Sequence, residues 1–168
     1  KDLNLKVFYF FEGEVLTRFL YDQSPFTFEN FSFKDKSILS KPIYLSFDGT
    51  YFSLTNKNED LIYANYILAN KFFSSKYLSG KLSFSNQNWK ELISSMSTNE
   101  RLFFKIPSNK EITQSILSNL SISIEDQSAH SIRIIHKHTN PHFSKDICNS
   151  VVKIYMNHEI NKKQKSTD

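Results

Sequence analysis

At 168 residues, with 39% hydrophobic and 23% charged residues, the chain has the make-up of one globular domain or a small base carrying an inserted one. Its formal charge of +4 comes from scattered lysines and a tail, Asn161-Lys162-Lys163-Gln164-Lys165, and no basic stripe accompanies the aromatics, which argues against a nucleic-acid partner. The one cysteine, Cys148, excludes an intrachain disulfide and any cysteine-pair zinc site.

The aromatic bias is the first structural signal. Phenylalanine occurs 16 times and tyrosine 8 times, against 3 glycines and 4 prolines. Aromatics favour pleated, half-buried surfaces, so the composition leans towards a β-rich core. The basic tail fits a solvated helix end, where lysines complement the macrodipole, better than a contact with anionic polymer or phospholipid.

Residues 5–11, Leu-Lys-Val-Phe-Tyr-Phe-Phe, predict a buried strand. Glu12-Gly13-Glu14 interrupts it, and Val15 to Tyr21 resumes as a second strand, giving an antiparallel hairpin. Beyond Ser24-Pro25, phenylalanines stand at 26, 28, 31 and 33, alternation with one slip, which predicts a strand carrying a bulge. Ile43 to Phe47 and Tyr51 to Thr55 flank Asp48-Gly49, the best hairpin signal in the chain.

Leu61 to Phe73 fits either a short helix or irregular strands. Gly80 precedes a strand candidate, Lys81 to Phe84; Trp89 to Met96 fits one or two helical turns; Arg101 to Ile106 predicts a strand ended by Pro107. Asn109 to Leu120 has apolar residues at helical spacing. Ile122 to Ile124 and Ser131 to Lys137 predict two strands around the polar link Glu125 to His130. Thr139-Asn140-Pro141 opens a final helix, Asn140 as its cap and Pro141 at its first position, with Phe143, Ile147, Val151, Ile154 and Tyr155 along one face.

The expected fold is α+β: a ferredoxin-like base of residues 1–22 and 108–168, ending in helix–strand–strand–helix, with a β-rich subdomain inserted at 23–107. The first strand is expected beside the last two.

No catalytic template fits. A phosphate-binding loop of the Gly-x-x-x-x-Gly-Lys kind is absent, and so is a Gly-x-Ser-x-Gly elbow. His136, His138 and His142, with His130 before them and Asp146 one helical turn beyond, are the most metal-like cluster. A polar strand end leading into a helix cap accounts for them more simply. Glu12 and Glu14 read as a charged hairpin turn rather than an acid–base pair, because glycosidase carboxylates come from facing elements across a cleft. Cys148, on an apolar helix face, reads as a small hydrophobe. No catalytic, cofactor-binding or metal-ligating residue is therefore assigned, and no cofactor is expected.

A family resemblance adds to this. Tyr9-Phe10, Glu12-Gly13, Leu20-Tyr21 and Ser24-Pro25-Phe26 resemble a recurrent stretch of Wzz/Wzc-like polysaccharide co-polymerases of Bacteroidetes type. Ser131-Ile132-Arg133-Ile134-Ile135 followed by Thr139-Asn140-Pro141 and a long helix is similar to that family's strand leading into an Asn-Pro or Asp-Pro cap. Phe19 departs from the pattern, standing where the family commonly has an acidic residue. The resemblance covers both ends of the chain, and the middle only in its β character.

It implies a non-catalytic periplasmic domain between two membrane spans of an inner-membrane protein. Such a domain forms a homo-oligomer and governs chain length and export of a surface polysaccharide, alongside its polymerase or export machinery. Many relatives of this kind carry a cytoplasmic tyrosine autokinase, to which no residue of this chain corresponds. The chain opens at Lys1 inside a strand pattern and stops inside a helical one, as a piece of a longer protein would, with any membrane attachment through segments outside it. Two alternatives stand beside this reading: a carbohydrate-binding or adhesin-like module, and a small periplasmic enzyme built on the histidines from His130 to His142.

Overall fold

The computed structural model describes residues 6–84, 89–97, 99–126 and 131–165. It is α+β and mostly β, with a long C-terminal helix. The described residues divide into two compact units, a larger one ending at Ser108 and a smaller one beginning at Asn109.

In the larger unit, β1 (Phe8–Glu12) and β2 (Thr17–Phe19) form the expected antiparallel hairpin. The turn closes where the Gly13 amide donates to the Leu16 carbonyl at 3.0 Å. β4 (Ile43–Phe47) and β5 (Phe52–Thr55) form the Asp-Gly hairpin. Asp48 Oδ1 accepts from the amides of Thr50 and Tyr51 at 2.8 and 2.6 Å, and Gly49 takes φ +100°, a region that glycine enters without the Cβ penalty. With β6 (Ile62–Ile67) and β9 (Arg101–Lys105), these strands make a six-stranded antiparallel sheet in the order β2-β1-β9-β4-β5-β6. A three-stranded sheet runs β3-β8-β7, from β3 (Phe26–Phe33), β8 (Leu78–Phe84) and β7 (Phe72–Ser74). The ambiguous stretch from Leu61 to Phe73 thus resolves into strands, β6 and the start of β7.

The predicted bulge is in place. The β3–β8 register shifts between Glu29 and Ser32, and Asn30 takes φ 50°. Gly80, expected ahead of its strand, lies inside β8 opposite this bulge. A Cβ at Gly80 would meet the Glu29 carbonyl oxygen at 3.3 Å and Phe31 Cα at 3.4 Å, so a bare backbone lets the bulge close over it.

One aromatic core joins the two sheets. Phe26, Phe52 and Phe104 are fully buried, and each contributes roughly 1.5–3 kcal/mol by leaving water. Edge contacts cross between the sheets: Tyr9 to Phe26 at 5.1 Å and Phe28 to Phe104 at 4.8 Å. Tyr9 Oη also accepts from the Phe28 amide at 3.0 Å, tying β1 to β3. The short helix α1 (Trp89–Ser95) brings Trp89 onto Phe84 at 4.5 Å.

The smaller unit is helix–strand–strand–helix, as expected from the sequence: α2 (Asn109–Asn119), β10 (Leu120–Asp126), β11 (Ser131–His136) and α3 (Pro141–Lys165). β10 and β11 pair with each other alone among the described strands. Asn140 caps α3, its Oδ1 accepting from the Phe143 amide at 3.0 Å.

The expectation for the first strand is corrected here. β1 does not lie beside β10 and β11 in a base of residues 1–22 and 108–168; it pairs with β2 and β9 in the larger unit. Side-chain chemistry explains the choice. Tyr9 enters the aromatic core, and Phe10 stacks on Phe103 of β9 at 4.8 Å with planes 8° apart. The β10–β11 face is isoleucine-rich and offers no such partner.

Candidate functional site

Two of the histidines singled out in the sequence, His136 and His138, meet beside the start of α3. His136 is buried at the end of β11, its Nδ1 lying 3.2 Å from Ser144 Oγ. His138 stacks beside it with ring centroids 6.2 Å apart, and its Nδ1 accepts from the Asn140 amide at 3.0 Å. Phe143 packs against both rings, at 5.8 and 4.8 Å. Burial pushes the His136 imidazole below its ordinary range; burial and then the neighbouring His136 do the same to His138. These contacts are those of a helix-start packing motif. His142 is exposed, and among the described residues no three His, Cys, Asp or Glu groups come close enough to hold a metal ion. His130 lies outside the described residues.

Glu12 and Glu14 sit at the β1–β2 turn and face different partners. Glu12 Oε1 receives Lys57 Nζ at 2.7 Å, which holds the carboxyl below the usual carboxylate range with help from the Tyr44 hydroxyl. Glu14 accepts from Asn99 Nδ2 at 3.3 Å. Cys148 is half-buried on α3.

Sequence reading missed a cavity in the larger unit. The β4–β9 ladder stops at the pair Leu45 and Leu102, and a cavity of about 400 Å³ opens beside that pair. Tyr44, Phe47, Thr55, Glu59, Met96, Glu100 and Arg101 are among its walls. Arg101 Nη1 donates to the Lys57 carbonyl at 3.0 Å, sits 3.9 Å from Glu59 and lies over the Tyr44 ring. Glu59 holds the left-handed φ of 62° in the turn after β5. Thr55 is buried, and among the described residues its hydroxyl has no hydrogen-bonding partner. An unpaired buried hydroxyl costs about 1–3 kcal/mol, so its retention needs a reason. The only sequence signal was the polar run Asn56-Lys57-Asn58-Glu59-Asp60; nothing in the spacing connects it to Arg101.

The smaller unit carries a second candidate, an uncovered apolar surface. Ile122 pairs with Ile134 and Ile124 with Ile132, putting four isoleucines on one sheet face. That face is covered where His136 meets Phe143, yet Ile122, Ile124 and Ile132 are exposed at 56%, 67% and 44%. α2 has no buried residue. Among the described residues of α3 only Phe143 and Ile147 are buried, while Val152, Ile154, Tyr155, Met156 and Ile160 are exposed.

No helix among the described residues is long and apolar enough to cross a membrane. Compared with models of known protein families and with curated proteins, the chain matches none.

Proposed function

We propose that this chain is a non-catalytic assembly module of a membrane-anchored periplasmic protein. Through oligomerisation, that protein would govern the chain length and export of a surface polysaccharide. The observation that carries the reading is the open β10–β11 pair. Both of its outer edges lack a strand partner among the described residues, and its isoleucine face is left in water. A two-stranded sheet is marginal in isolation, and unpaired edges with exposed apolar faces are where proteins meet other chains. The helix–strand–strand–helix order is that of the centre of a ferredoxin-like layer, which supports the reading. The family resemblance of Tyr9 to Phe26 and of Ser131 to Pro141 supports the same reading.

In this reading a ring of identical subunits is the working form, and membrane spans outside this chain hold it in the inner membrane. Function is then geometric: the ring presents a repeated surface to the growing polysaccharide and its polymerase or export machinery. Ring contacts of this kind need two different surfaces on each subunit, and the isoleucine face is one of them.

The test uses the full-length protein in its own membrane. Replacing Ile124 and Ile132 by lysine should leave the larger unit folded, reduce the oligomer to smaller species in native mass measurements, and alter the length distribution of the surface polysaccharide. An unchanged oligomer and an unchanged polysaccharide in that variant reject the proposal.

A further inference from the structure

We propose that the cavity beside the last β4–β9 pair is a binding site for a single uncharged sugar ring. The proposal goes beyond assembly and holds whether or not the chain oligomerises. About 400 Å³ falls in the range of small-molecule pockets and is far below what a folded partner needs. The wall chemistry selects the ligand class. Glu59 and Glu100 are acceptors and Arg101 is a donor. A sugar hydroxyl is itself a donor and an acceptor, so neighbouring hydroxyls on one ring satisfy a carboxylate and a guanidinium together.

Phe47 and Met96 add an apolar wall suited to the C–H face of such a ring. A flat hydrocarbon ligand would take water from Glu59, Glu100 and Arg101 without replacing its hydrogen bonds, which costs more than the apolar contact gains. Charge narrows the class further. Two carboxylates and one guanidinium are among the walls, and the guanidinium already lies 3.9 Å from Glu59, so phosphate, sulfate and uronic acid groups are disfavoured.

The experiment titrates the isotope-labelled protein with methyl glucoside, methyl galactoside, N-acetylglucosamine and glucuronate, following amide shifts by NMR. At least one of the three neutral sugars should saturably shift Ser46, Met96 and Glu100, with a Kd on the order of 1 mM, and glucuronate should bind about tenfold more weakly. Glu59→Gln and Glu100→Gln each keep the size of the side chain and remove its charge. Each should weaken binding by about tenfold while strand signals away from the cavity stay in place. The proposal is overturned if no neutral sugar gives saturable shifts, if the shifts map elsewhere, if glucuronate binds as well, or if both variants bind like the parent.

Discussion

Tyr9 shows how one side chain fastens two sheets. Its ring packs on Phe26 and its hydroxyl takes the Phe28 amide, an acceptor placed where that backbone group would otherwise be buried and unpaired. Burial, opposed only by that hydrogen bond, pushes the phenol up to about 12. Tyr9→Phe keeps the ring and orphans the amide, so urea unfolding should report a loss of about 1–3 kcal/mol. His136 is a second residue with a readable consequence. Burial holds its folded pKa below the ordinary value of about 6.5, so the unfolded chain binds a proton that the folded one resists. The contribution of this group is therefore complete above that value and is lost as pH falls below it towards the folded pKa. His138 acts with the same sign. Unfolding of the smaller unit followed from pH 8 to pH 5 should show declining stability, and His136→Gln should flatten the decline. A profile as steep in the variant as in the parent would remove His136 from this role.

At the scale of elements, local signals carried most of the fold. The Asp48-Gly49 turn, the bulge after Glu29 and the Asn140-Pro141 helix start were legible because each depends on the chemistry of a few adjacent residues. Asn140→Ala removes the acceptor for the Phe143 amide, and helix content and thermal unfolding should show a loss of about 1 kcal/mol. What the sequence hid was pairing at long range. Whether Phe8–Glu12 joins Arg101–Lys105 or Ser131–His136 turns on cross-strand stacking such as Phe10 on Phe103, and periodicity cannot register that. Gly80 was misplaced for a similar reason: it is demanded by a bulge on another strand. The cavity was illegible for the same cause, since Thr55, Glu59 and Arg101 meet only after β4, β5 and β9 have paired.

At the scale of the whole molecule, the two units differ in how they are held. The larger is closed by a continuous hydrophobic core rich in aromatics, while the smaller, among its described residues, buries Phe143, Ile147 and His136. That contrast is why we propose assembly through the smaller unit and ligand binding in the larger. It also gives α3 a graded character. From Ser150 to Lys165 the helix runs roughly 22 Å with no buried side chain among those described. Isolated helical turns open readily, so in the free protein amide hydrogens of the first turns should exchange slowly and those of this distal stretch quickly. In the proposed assembly the boundary should move outward along the helix. Deuterium uptake resolved by peptide would show that shift, and an identical uptake gradient in both states would mean that the distal helix is never covered. The distance over which exchange slows would then measure how much of α3 a neighbouring subunit occupies.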